Sequence, residues 1–124
     1  MSFPDKYKYN KDHTWVEESN NKVTLGVIQK SIDMAGEIVF VNLPKVGDVL
    51  EIGKPYVSLE SVKASVELKS PVKGRVVEVN EKVFDNPDLL NKDSFKNYIA
   101  IVKTEKVEDL LDSKKAQEYY GGKK

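Results

Sequence analysis

The chain has 124 residues, 40% of them hydrophobic, with Lys+Arg and Asp+Glu balanced at 20 each. That length supports one domain with its own core, and a formal net charge of zero gives no basic field for nucleic acid and no acidic tail. The absence of cysteine excludes a disulfide framework, thiolate catalysis and cysteine-ligated zinc, and the single histidine, His13, excludes paired-histidine metal or acid–base chemistry.

Residues 1–12 are polar and lysine-rich, a lead-in carrying Tyr7 and Tyr9. Met1-Ser2-Phe3-Pro4-Asp5-Lys6 lacks the apolar segment of a signal peptide, and no later run approaches a membrane span, so a cytoplasmic protein without membrane contact is expected. Thr14 to Glu18 and Val23 to Ile28 are β-like and joined by the polar cluster Glu18-Ser19-Asn20-Asn21-Lys22. Trp15 is expected in the core. Gln29 to Ala35 reads as a short helix with Ile32 and Ala35 on one face and Gly36 as its stop. Ile38 to Val41 is apolar throughout and predicts a buried strand. Leu43-Pro44-Lys45-Val46-Gly47-Asp48 turns the chain, Val49 to Ile52 resumes alternation, and Gly53-Lys54-Pro55 breaks it again.

The most informative stretch follows. Val57 and Leu59 alternate with Ser58 and Glu60; Val66 and Leu68 alternate with Ser65 and Glu67. This period of two marks paired half-buried strands, and Ser61-Val62-Lys63-Ala64 between them leaves Lys63 at the tip of a reversal. A lysine on a rigid tip is accessible to an acylating enzyme, although most surface lysines are only solvated charges, and the turn lacks the Asn-Gly or Asp-Gly of favoured hairpins. Arg75 to Val79 and Tyr98 to Lys103 predict further strands, with a helical turn after Asn86-Pro87, asparagine as cap and proline in the first position. Gly47, Gly53 and Gly74 are expected at turns. Val107, Leu110 and Leu111 suit a helical face, which Asp112-Ser113 restarts through Ala116 and Tyr119 or Tyr120, before the polar end Gly121-Gly122-Lys123-Lys124. Short strands with turns between them and one terminal helix predict a mainly β sandwich or barrel.

Glu60-Ser61-Val62-Lys63-Ala64 resembles the lipoylation motif of the glycine cleavage H protein family. Gly36-Glu37-Ile38-Val39-Phe40-Val41-Asn42-Leu43-Pro44-Lys45-Val46-Gly47-Asp48, Ser70-Pro71-Val72-Lys73-Gly74, Asn86-Pro87-Asp88-Leu89-Leu90-Asn91-Lys92-Asp93 and His13-Thr14-Trp15-Val16 are similar to further family segments, in collinear order from about Tyr7 to Tyr120. The resemblance implies the flattened barrel of lipoyl and biotinyl domains, a barrel-sandwich hybrid of two antiparallel sheets with short flanking helices and a C-terminal helix. One carrier domain is expected over 1–124, with a core at about 7–104 and a helical segment at about 105–120.

It further implies a non-catalytic carrier with lipoate joined by an amide to Lys63, and no metal. A lipoate ligase or lipoyltransferase would attach it, recognising Glu60, Ser61, Val62, Ala64 and Glu67. The implied partners are glycine decarboxylase, aminomethyltransferase and dihydrolipoyl dehydrogenase, among which a monomeric carrier shuttles an aminomethyl group and electrons. Tethering would keep each transfer local. Biotin carriage is disfavoured because Val62 and Ala64 stand where biotinyl carriers have methionines.

The family shelters its loaded arm in a cleft, with a glutamate before the first tryptophan and a histidine in the short helix. Here those positions read as Thr14 and Lys30, and Asp93 to Ile99 departs from the family's proline, glycines and tryptophan. A lysine is a donor only and serves a cationic amine poorly. This leaves open an H-like lipoate-binding protein carrying sulfur or redox intermediates for a heterodisulfide-reductase-like complex, and, from another class, an unmodified scaffold.

Overall fold

The computed structural model describes residues 3–121, which form two antiparallel sheets flanked by short helices. The chain enters through β1 (Lys8–Tyr9), β2 (Thr14–Ser19) and β3 (Lys22–Val27), then turns through α1 (Gln29–Ala35) into β4 (Ile38–Asn42). Next come β5 (Val49–Leu50), β6 (Pro55–Ser61), β7 (Ser65–Lys69) and β8 (Val72–Val79). Helices α2 (Glu81–Asp85) and α3 (Asp88–Asp93) precede β9 (Ala100–Val107) and α4 (Ser113–Gly121). Among the described residues one sheet runs β1-β2-β3-β9-β8-β5 and the other β4-β6-β7.

Alternation explains the layers. Val57 and Leu59 on β6, Leu68 on β7 and Val72 and Val76 on β8 turn inward, while Glu60, Glu67, Lys73 and Arg75 face out. The inward set joins Val16, Leu25, Val41 and Val102 in one buried cluster drawn from both sheets. A second cluster of Phe3, Tyr7, Tyr9, Trp15, Ile28 and Ala116 lies outside it, with Phe95 and Tyr120 packed alongside. Thr14, Trp15 and Val16 are therefore buried in succession, with Trp15 in the second cluster and Val16 in the first. Trp15 is core, as expected, at 2% exposure.

Several sequence expectations need correction. Ile38 to Val41 is a strand but not a buried one: Val39 and Phe40 are 51% and 42% exposed. Pairing with β6 shifts register between Ile38 and Phe40, and this bulge turns both side chains out while Ile38 and Val41 stay in. Val49 to Ile52 shrinks to β5, Arg75 to Val79 extends back to Val72, and Tyr98 to Lys103 moves to Ala100–Val107. Helix does not begin near residue 105. Backbone pairing of Val107 with Val72 keeps β9 extended, and Leu111 then exchanges two main-chain hydrogen bonds with Tyr9, at 2.9 and 2.7 Å.

The helix restarts where Asp112 provides a cap, its carboxylate accepting from the Lys115 N–H at 2.8 Å. Gly121 of the polar end belongs to α4, and Gly122 to Lys124 lie outside the described residues. Pro87 is already helical, but the Asn86 side chain makes no cap bond, and only its carbonyl accepts, from Leu89 N–H. Helix α2 went unanticipated; Asn80 caps it by accepting from Lys82 N–H at 3.2 Å. Gly74 lies within β8 rather than at a turn, where a Cβ would stand 2.2 Å from the Lys103 carbonyl oxygen.

Candidate functional site

The β6–β7 hairpin presents Lys63 on its turn. Registers Leu59↔Val66 and Glu60↔Ser65 carry the ladder up to Ser61, leaving Val62, Lys63 and Ala64 outside it. Ser61 closes the reversal. Its backbone N–H donates to the Ala64 carbonyl at 2.8 Å, and its hydroxyl donates to the same carbonyl at 3.2 Å. The hydroxyl oxygen also accepts from the N–H groups of Lys63 and Ala64, at 3.3 and 3.0 Å. A side chain thus does what an Asn-Gly turn does by backbone conformation. Val62 is 78% exposed, and Lys63 and Ala64 are exposed beside it.

Helix α1 ends beneath this tip. Gly36 takes φ of 93°, a conformation costly for other residues. A Cβ there would lie 3.4 Å from Lys63 Cε, so the lysine side chain crosses close above the helix end. Asn91 on α3 pins that end, donating to the Gly36 carbonyl and accepting from Ile38 N–H, both at 2.9 Å. The turn therefore rests on a fixed surface.

Glu60 and Glu67 project from the outer face of the three-stranded sheet, opposite Ser65 and Ser58. Neither forms an ion pair; among the described residues the pair is Asp88–Lys92, on α3. Of the expected flanking residues, Glu60, Ser61, Val62 and Ala64 sit at or next to the tip, with Ser61 holding the turn as well as bordering it, while Glu67 lies further down β7 opposite Ser58. Sequence reasoning read Gly36 only as a helix stop and gave Asn91 no role of its own; they lie 27 and 28 positions from Lys63 on either side. The Ser61 role had a readable signal, a hydroxyl two and three residues ahead of free N–H groups.

The two expected cleft residues are not brought together. Thr14 is fully buried, and its hydroxyl shares a 2.9 Å hydrogen bond with the Tyr56 phenol, so it lines no arm cleft. Burial pushes the Tyr56 phenol up, against the opposing pull of the Thr14 bond. Lys30 instead lines an open groove of about 490 Å³ between α1 and α3, with Asp33, Asp93 and Phe95. His13 belongs to the framework. Its Nδ1 lies 2.8 Å from the Ser31 hydroxyl, and burial lowers its pKa against the opposing charge of Asp12.

The family model of the glycine cleavage H-protein matches residues 7–123. The glycine cleavage system H protein of Coprothermobacter proteolyticus is 43% identical over 121 residues, covering 96% of this chain and 95% of the relative. That of Halalkalibacterium halodurans is 39% identical over 119 residues, covering 95% and 93%. The crystal structure of the H protein from Mycobacterium marinum superposes with a TM-score of 0.92 at 27% identity, covering 96% and 99%. These relatives favour the glycine cleavage role over the sulfur carrier and the unmodified scaffold, and burial of Thr14 removes part of the argument for the sulfur carrier. The chain belongs to the glycine cleavage H-protein family, the non-catalytic lipoyl carriers that work with the enzymes of the glycine cleavage system.

Proposed function

We propose that Lys63 is the residue that carries lipoate, within a single carrier domain over 1–124. The carrying observation is the Ser61-closed turn, which holds an exposed lysine between two small or β-branched neighbours above the fixed end of α1. These residues fit an amide-linked arm: the amine stands clear of the core, and no described carboxylate is paired with it. Lipoate, once attached, supplies a disulfide that accepts electrons and holds the one-carbon cargo.

The protein's own residues position that arm. Ser61 fixes the turn, Val62 and Ala64 leave room for a ligase to clasp it, and Glu60 and Glu67 give the approach a negative sign. Lys30 is retained as a residue of the arm's surroundings and Thr14 is not. A ligase or lipoyltransferase is the remaining partner, and the carrier works as a monomer in the cytoplasm. No helix among the described residues is long and apolar enough to cross a membrane.

Co-expression with a lipoate ligase should add one lipoyl group by intact mass, and Lys63→Arg should abolish it. A lipoyl adduct mapped to Lys69 or Lys73 overturns the assignment.

A further inference from the structure

The outer face of the three-stranded sheet carries cross-strand rows Phe40, Glu60, Ser65 and Asn42, Ser58, Glu67. The bulge at Val39 adds a second apolar side chain beside Phe40 on the edge strand β4. Phe84, from α2, comes up to the same place, with ring centroids 5.8 Å apart and planes at 71° to Phe40. Val39, Phe40 and Phe84 are 51%, 42% and 50% exposed, and none belongs to either buried cluster.

A strand that follows simple alternation would bury one of Val39 and Phe40. The bulge leaves both in water at a cost in apolar exposure, which is a mark of an interaction surface. Charge on the side of the patch toward the turn is mainly acidic. Glu37, Glu60 and Glu67 are exposed and without an ion pair among the described residues, in a chain whose overall charge is zero. Lys63 is the cation on the turn, and amide formation removes its charge; on the Phe84 side, Lys45 lines a groove with Glu81 and Asp85. Phe40 pairs with Glu60, which lies one residue before the Ser61 that closes the turn, so the patch borders the tip.

We propose that Val39, Phe40 and Phe84, framed by Glu37 and Glu60, dock the carrier onto the enzyme that loads its arm. The occupant is an enzyme surface with an apolar pocket for the two rings and lysines or arginines around it. Aromatic anchors in a pocket supply affinity, while the rim charges steer encounter and fix orientation. The proposal rests on Lys63 as the attachment point for its placement, because the tip must enter an active site while this face holds the surface beside it.

The test titrates purified glycine decarboxylase with both the unlipoylated and the lipoylated chain, reading the dissociation constant by calorimetry. Phe40→Ser with Phe84→Ser should weaken binding at least tenfold in both forms, and should raise KM for the lipoylated carrier with kcat unchanged. Glu37→Lys should weaken binding several-fold at low salt and less at high salt. Tyr119→Ser, which removes an equally exposed ring on α4, should leave it unchanged. Phe84→Ser alone and Val39→Lys serve where the double variant does not fold by circular dichroism.

Affinity within twofold of the parent for the folded variants overturns the proposal. So does equal weakening by Tyr119→Ser, or sedimentation showing a parental dimer that Phe40→Ser dissociates, which would assign the face to a second copy. Failure of Lys63 to acquire lipoate would sink the attachment reading alone, since affinity of the unlipoylated chain reports on docking separately.

Discussion

The Lys63 turn and the aromatic cluster under α4 are built by opposite means. At the turn, the hydrogen bonds link residues within three positions of each other and the side chains stand in water. In the cluster, Tyr7 donates to the Phe95 carbonyl across 88 positions, and Tyr120 donates to the Asn10 carbonyl across 110. Phe3 and Tyr120 stack at 5.8 Å and Tyr7 and Phe95 at 5.5 Å, so rings from the first residues meet rings from the last. A carrier whose tip is handled by several enzymes keeps that tip cheap to alter, and places the contacts that hold its ends together elsewhere. Altering the cluster should cost stability without touching modification; altering the turn should do the reverse.

The largest effect should come from Trp15→Ala. The indole is 2% exposed, packs against Tyr7 and Phe95, and donates to the Ser94 carbonyl at 3.2 Å. Truncation should cost about 3–5 kcal/mol, a fall in Tm on the order of 10–20 °C by calorimetry. Lipoylation of the molecules that remain folded should proceed at the parental rate. A loss of under 1 kcal/mol would mean the cluster is dispensable.

Tyr120→Phe should come next, at about 1–2 kcal/mol. The phenol accepts from His13 N–H at 2.9 Å and donates to the Asn10 carbonyl at 2.5 Å, and both main-chain groups lose their partner. The same variant has a pH signature. Burial raises the Tyr120 phenol above its ordinary value near 10, with Tyr119 and Asp12 adding to it and the His13 bond opposing. Above about pH 10 the unfolded chain then releases this proton before the folded one does, so stability falls as pH rises. The alkaline slope of denaturant-unfolding free energy should be shallower in Tyr120→Phe. Equal slopes would remove Tyr120 from the account.

The same contrast decides what was legible in the sequence. The hairpin was readable because its two strands and turn are contiguous and alternate around Lys63. Helix α1 was readable for the same reason, down to its stop at Gly36. The bulge at Val39 was not, since Ile-Val-Phe-Val reads as uniformly apolar and only pairing with β6 shows which residue is extra. The strand assignment of Val107 depends on Val72 across the sheet, and the burial of Thr14 depends on Tyr56, 42 positions away. The pinning of Gly36 by Asn91 likewise spans 55 positions. Local periodicity cannot register contacts of that range.

At the turn, Ser61→Ala should have a small stability cost, about 0.5–1 kcal/mol, because water replaces the lost partners of exposed N–H groups. Its effect should appear in modification instead. Without the hydroxyl holding Lys63 and Ala64, initial lipoylation rates by a purified ligase should drop, while Ser61→Thr, which keeps the oxygen, should recover most of the rate. Equal rates for alanine and the parent would mean the turn holds its shape without Ser61.

The smallest effect should belong to the residue on which the function turns. Lys63 lies outside the β6–β7 ladder, is exposed, and carries no ion pair among the described residues. It passes close to the end of α1, where its Cε comes within van der Waals reach of a Cβ that Gly36 does not have. That contact covers little apolar surface, and releasing the side chain returns rotamer freedom that partly offsets it. Lys63→Ala should therefore fall within about ±0.5 kcal/mol of the parent in denaturant unfolding. Lipoylation should vanish completely in the same variant. A thermal midpoint lower by many degrees would show that the lysine packs onto α1 as a structural strut. The fold and the attachment point would then be coupled, and the separation between a cheap tip and a costly cluster would fail.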